Sequence, residues 1–463
     1  MLNSSQDIDL QSLLLDPDAK LEDILLSNDF TNLWALSDPN LFSFLIRHYG
    51  ELIDTGFQVR DESDLSIRCL QVISSNNPFF RHRFFKETYF LNFVYNYIFN
   101  ISTFPEFSQK NYFYVLPNVI VDQFKRLVPT FNEKYFTELF NNIQNDFAYN
   151  FILRLINFGP TSFEPVLKEI KICEKIVSNI IQYHSIQNQK PDEKLLLIRN
   201  QNIFKAIINS KFDDGACSVL NDHIDEIINN SIQNPNSIVF SFLQYIDEFS
   251  MNSFSLSKWH KIHQKIIPHL SEFCDIVLNS KIESFTSLSE SCTLLAIGIT
   301  TTTKDVSPCF INLYERLLML FFEFKTNSFL HNCFLKVFNL LLSYDLINAS
   351  FLDEYDMFGK IMYFYENRDI SLFASFWGHL YLISKEIDQF AQNSKTVDLE
   401  KWNQIVIEKN KLTEKILNNT YGGFVPPDLR VIKTVEPVND SFFAKNLFIT
   451  IIKTDKENHS PLS

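Results

Sequence analysis

The chain has 463 residues and a formal charge of −14, with 46% of residues hydrophobic and 15% aromatic, a composition too apolar for a disordered scaffold. Glycine is scarce, 9 residues in all, and Rossmann sheets, propellers and sandwiches need it wherever a tight turn or a phosphate loop demands a positive φ. The excess of acids, 55 Asp and Glu against 41 Lys and Arg, repels phosphate backbones and anionic lipid, so neither nucleic acid nor membrane insertion is expected.

Met1 to Asp9 are polar and acidic, where a secretion signal needs a basic start and an apolar stretch. A cytoplasmic or nuclear protein is expected. Beyond them, apolar residues recur at spacings of three and four in segment after segment, the mark of helices with one buried stripe. Phe79-Phe80 and Phe84-Phe85, interleaved with Arg81, His82, Arg83 and Lys86, fit a packed helix with a basic outer face better than an RNA-stacking platform. The breaks are short and rich in Asn and Pro, as at Asn76-Asn77-Pro78, Gly159-Pro160 and Asn234-Pro235. Asp213-Asp214 before Gly215 reads as a turn and helix start.

Further on, Ile311 to Phe324 is apolar almost all round apart from Asn312, Glu315, Arg316 and Glu323, which predicts a helix sandwiched between neighbours. Its run Leu317 to Phe322 falls far short of the roughly 20 apolar residues that span a bilayer. Ser328 to Leu342 predicts an amphipathic helix with Leu330, Phe334, Val337, Phe338 and Leu341 inward. Asp398 caps a predicted helix whose inner stripe is Trp402, Ile405, Val406, Leu412 and Ile416, stopped by Gly422 and Gly423.

A single core stops growing at roughly 250–300 residues, and no Gly/Ser linker divides this chain. The expected architecture is therefore all-α, an armadillo/HEAT-like α-solenoid of degenerate helical repeats, each about 40–47 residues long. The helical domain is assigned to residues 1–421 and a largely irregular tail to 422–463.

Chemistry is sparse. The sequence contains no G-x-G-x-x-G, Walker A loop, G-x-S-x-G elbow or H-E-x-x-H, so the nucleotide, hydrolase and common metallohydrolase classes lose their signatures. Seven scattered cysteines, none in a Cys-x-x-Cys pair, read as small buried hydrophobes in a reducing compartment. His260 and His263, with His269 and Cys274 downstream, form the best metal candidate, because i and i+3 share a helix face. The competing reading is a solvated face beside Lys261 and Lys265 with no partner for the imidazoles.

Seven stretches carry a family resemblance. Leu21-Glu22-Asp23-Ile24-Leu25 precedes Leu41-Phe42-Ser43-Phe44-Leu45; then come Asn327-Ser328-Phe329-Leu330-His331 and Gly378-His379-Leu380; Trp402, Leu412-Thr413-Glu414 and Gly422-Gly423 close the series. In order and spacing they resemble SAPS-domain proteins over about residues 10–427, with Trp377 standing where that family has a smaller apolar residue. The resemblance implies a helical, non-catalytic regulatory subunit that binds a protein phosphatase 6-type serine/threonine phosphatase catalytic subunit, with further regulatory subunits as possible partners, and directs it to substrates. It implies no cofactor and no catalytic residue. Its motif positions here are Leu21, Glu22, Leu25, Phe329, Leu330, His331, Gly378, His379, Leu380, Trp402 and Glu414. From the residues themselves, His331 and His379 read as core histidines bonded to backbone carbonyls or as interface groups, and Gly378 as a site of close helix packing. Two other functions fit the same sequence: a generic armadillo-like adaptor in transport or tethering, and a helical metallohydrolase using His260, His263 and His269.

Overall fold

A computed structural model describes residues 10–58, 63–75, 77, 80, 84, 88–114, 116, 132–158, 171–186, 189–210, 213–252, 256–281, 285–367 and 374–418. The expected tail at 422–463, and most of the Phe79 to Lys86 segment, lie outside these residues. The described residues are helical, with no strand among them. They fall into two compact units, Met1–Phe324 and Lys325–Ser463, a boundary inside the stretch assigned above to one domain.

In the N-terminal unit, most of the described helices pack on partners one to three places away in the chain, while Leu21–Leu25 reaches Asp64–Ser74, four places on. Ile172–His184 lies against Pro191–Asn209 and Asp213–Gln233; Ser237–Asn252 lies against Leu256–Ile266 and Ser287–Thr303; Leu270–Leu278 lies against Ser287–Thr303 and Pro308–Glu323. Phe80 and Phe84 are buried and stacked, their centroids 5.2 Å apart. Gly298 faces side chains of the Ser237–Asn252 helix. A Cβ on it would lie 2.8 Å from Asp247 Oδ2 and 3.2 Å from Met251 Cε, so a side chain here would force the buried Asp247 carboxyl and the Met251 tip to move. Pro308–Glu323 buries Phe310, Leu313, Tyr314, Leu317, Leu318, Leu320 and Phe321. It is not enclosed all round, because Asn312, Met319 and Glu323 form an open stripe.

Six of the seven cysteines are buried, Cys309 being half-buried, and all are free thiols. Burial pushes Cys69 and Cys173 up to about 12, which keeps them as unreactive thiols at neutral pH. Among the described residues no helix is long and apolar enough to cross a membrane.

In the C-terminal unit, Asn327 Oδ1 accepts from the Leu330 amide at 3.0 Å and starts the helix Ser328–Ser343, whose expected inner stripe is buried. Ala349–Glu354 and Met357–Glu366 follow, and Ala374–Ile387 packs back on Ser328–Ser343. Asp398 caps the final segment, accepting from the Glu400 and Lys401 amides at 3.1 and 3.2 Å. Trp402 and Val406 are buried as expected, yet Leu412 is 58% exposed and Asn410 is buried instead; Ile416's side chain lies outside the described residues. The cause is a π-helical turn at Asn403–Ile407 between Leu399–Trp402 and Glu408–Asn418. One extra residue in the turn rotates everything after it by about 100° relative to an unbroken α-helix. Asn410 thereby reaches a buried triangle, accepting from the Tyr365 hydroxyl at 2.7 Å and donating to Ser384 Oγ at 3.0 Å.

Candidate functional site

The motif positions divide by burial. Leu21 and Leu25 are buried in the short helix Leu21–Leu25 while Glu22 is exposed. In the C-terminal unit, Leu330, His331, Leu380 and Trp402 are buried. Phe329, by contrast, is 60% exposed, and Gly378 and Glu414 also face solvent.

Local geometry explains the split. The Asn327 cap sets the helix register so that Phe329 points out while Leu330 and His331 turn inward. The His331 ring sits 5.5 Å from Phe376 and 5.6 Å from His379, centroid to centroid. His379 is half-buried, and its Nε2 lies 2.8 Å from Asn332 Oδ1. The expected backbone-carbonyl partner is thus replaced at this nitrogen by a side-chain amide on the facing helix. Trp402 Nε1–H donates to Asp388 Oδ1 at 2.8 Å, with the indole edge-on to Phe358. Glu414 accepts from Lys385 Nζ at 2.6 Å and from the Tyr381 hydroxyl at 3.4 Å. The Lys385 hydrogen bond holds the Glu414 carboxyl below its usual range and raises Lys385 in turn; an exposed pair of this kind adds little stability.

Gly378 is the clearest correction. A Cβ built on it meets nothing within 4 Å, so it does not mediate close packing with any described neighbour. Mid-helix glycine costs roughly 0.5–1 kcal/mol relative to alanine. Gly378→Ala should therefore raise the unfolding free energy by about 0.5–1 kcal/mol in urea titrations; a decrease would mean the added methyl meets an obstacle.

Phe329, Asn332 and Lys336 stand at i, i+3 and i+7, and Gly378, Leu382 and Lys385 at i, i+4 and i+7, so each set lines one side of its helix. The Asn332–His379 contact joins the two helices, and the Lys385–Glu414 pair links the second of them to Glu408–Asn418. Leu382 is 46% exposed. Together they supply an aromatic anchor, an open stretch of helical backbone and a charge pair, which are recognition groups. Asn332, Leu382 and Lys385 were missed from the sequence, although each lies one or two helical turns from a motif position.

The metal candidate disperses. His263 is only 1% exposed, not part of a solvated face, and its Nδ1 lies 2.6 Å from Asp247 Oδ1 on the preceding helix. His260 is exposed, and His269 Nδ1 lies 3.5 Å from Glu272. Among the described residues no group of three or more His, Cys, Asp or Glu is placed to hold a metal ion. No protein-family model matches the chain, and none of the curated proteins matches it.

Proposed function

We propose that this chain is a non-catalytic regulatory subunit that binds a protein phosphatase 6-type serine/threonine phosphatase catalytic subunit and directs it to substrates. The reading rests on the SAPS-like residues, and one observation carries it: in the C-terminal unit the motif positions left outside the core, Phe329 and Gly378, exposed, and Glu414, half-exposed, stand on helices linked by direct side-chain contacts. A buried motif residue is accounted for by the fold. An exposed one is available to a partner, and aromatic side chains, Phe among them, are enriched in protein interfaces. Described helices that pack mainly on partners nearby in the chain support the further proposal of degenerate armadillo/HEAT-like repeats, whose surfaces serve binding.

Affinity purification of the full chain from its native cell tests this reading. The expected result is a serine/threonine phosphatase catalytic subunit in stoichiometric amount, lost from the Phe329→Glu variant. Absence of any such phosphatase from the wild-type eluate would refute the assignment.

A further inference from the structure

Three cysteines of the N-terminal unit converge. The helix Leu270–Leu278 carries Cys274 and packs on both Ser287–Thr303, which carries Cys292, and Pro308–Glu323, which carries Cys309. The Arg316 guanidinium donates to the Ser280 carbonyl at 3.2 Å and fixes how the first and third of these helices sit along each other. Cys274 lies six residues before Ser280 and Cys309 seven before Arg316, so helices running the same way in that register bring the two thiols level. Their side chains do meet. Cys309 acts on Cys274 through a hydrogen bond as well as through charge, whereas Cys292 acts on it through charge alone.

The thiols differ in access. Cys274 and Cys292 have no exposed surface. Cys309 is half-buried, next to the exposed Pro308 and close after the exposed stretch 301–305. Ser307 Oγ lies 2.9 Å from Cys309 Sγ and holds the thiol at this edge of the helix stack. Burial, and after it the Cys309 side chain, push the Cys274 thiol up, so Cys274 stays protonated until a partner sulfur is presented to it.

We propose that Cys309 and Cys274 are a peroxide-oxidisable pair, with Cys309 as the sulfur that meets the oxidant and Cys274 as the resolving thiol. In the first step the Cys309 sulfur attacks hydrogen peroxide. An S–O bond forms, the O–O bond breaks, and hydroxide leaves with the thiol proton as water, which makes Cys309 a sulfenic acid. In the second, the Cys274 sulfur attacks the Cys309 sulfur. The S–S bond forms, the S–O bond breaks, and hydroxide again leaves with a thiol proton as water. Two thiols are oxidised by two electrons in all, and one peroxide is reduced to two waters. The disulfide staples Leu270–Leu278 to Pro308–Glu323 and encloses the intervening helix Ser287–Thr303 in a covalent loop. The pair involves only the N-terminal unit, so it is independent of any phosphatase partner.

The test is mass spectrometry of the full chain after brief exposure to hydrogen peroxide, followed by unfolding in N-ethylmaleimide and proteolysis. The expected product is a pair of peptides joined through Cys274 and Cys309 and separated by dithiothreitol, with Cys69, Cys173 and Cys292 recovered as maleimide adducts. Cys309→Ser, a change at a half-buried position, should abolish the link and leave Cys274 alkylated. Cys274→Ala should leave a sulfenic acid at Cys309 that dimedone captures and that the wild-type chain does not accumulate. Cys309 remaining a free thiol, Cys309 passing to the sulfinic acid in the wild-type chain without the link, or a disulfide joining Cys309 to Cys292 or to a second copy of the chain would overturn the proposal.

Discussion

Replacing His263 with alanine should lower the unfolding free energy by about 3–5 kcal/mol, the range for breaking a buried charged or hydrogen-bonded pair by removing one partner. Both members of the His263–Asp247 pair are 1% exposed. Burial raises the Asp247 pKa even though the His263 hydrogen bond pulls it down, so desolvation is already the dominant influence on that carboxyl. Alanine at 263 would strand the carboxyl, because Asp247 Oδ1 loses its 2.6 Å contact with the imidazole and the deleted ring leaves a cavity beside it. The double variant Asp247→Ala/His263→Ala should then be less destabilised than the sum of the two single variants, with a coupling of about 1–3 kcal/mol. Urea unfolding of the four proteins, followed by far-ultraviolet circular dichroism, measures the cycle. Additive losses would mean that the two side chains stabilise the fold independently, and the pair would lose its significance.

A second large loss, again about 3–5 kcal/mol, is expected for Trp402→Ala, since deleting a buried indole removes its transfer free energy and leaves a cavity. The ring is 1% exposed, lies edge-on to Phe358 at 5.2 Å and is oriented by the hydrogen bond to Asp388. Trp402→Phe keeps most of the apolar volume and gives up that hydrogen bond, so it should cost less than half as much. Phe329→Ala is the contrast. With 60% of its surface already in water, it should change stability by no more than about 0.5 kcal/mol. Thermal melts of the three variants would separate motif residues that hold the C-terminal unit together from those left for recognition. A Phe329→Ala loss comparable to that of Trp402→Ala would abolish the distinction on which the proposed surface rests.

Much of the fold is legible in the residues because helix formation is local. The helix at Ser328–Ser343 and its inner stripe follow from the spacing of Leu330, Phe334, Val337 and Leu341, and Asp398 announces its helix by a side chain that only needs two amides following it. The candidate surface is half legible. Phe329, Gly378 and Glu414 stand out as motif residues, but their exposure depends on which neighbours arrive. Gly378 shows this best: the same residue type that permits close packing at Gly298 has open space around it at 378.

The sequence alone determined that the described residues are helical, that six of the seven thiols are buried, and which residues begin several of the helices, because hydrophobic period, composition and capping act over a few residues. Tertiary structure alone decided which side of the helix Glu408–Asn418 faces the core. The π turn at Asn403–Ile407 puts Asn410 inside and Leu412 outside, and its register is chosen by Tyr365 and Ser384, which lie 45 and 26 residues away in the chain. Likewise, an exposed-looking histidine at 263 became a buried one because Asp247 on the neighbouring helix receives it. A buried polar group is held by whichever partner the packing delivers, and that delivery is a property of the assembled helices.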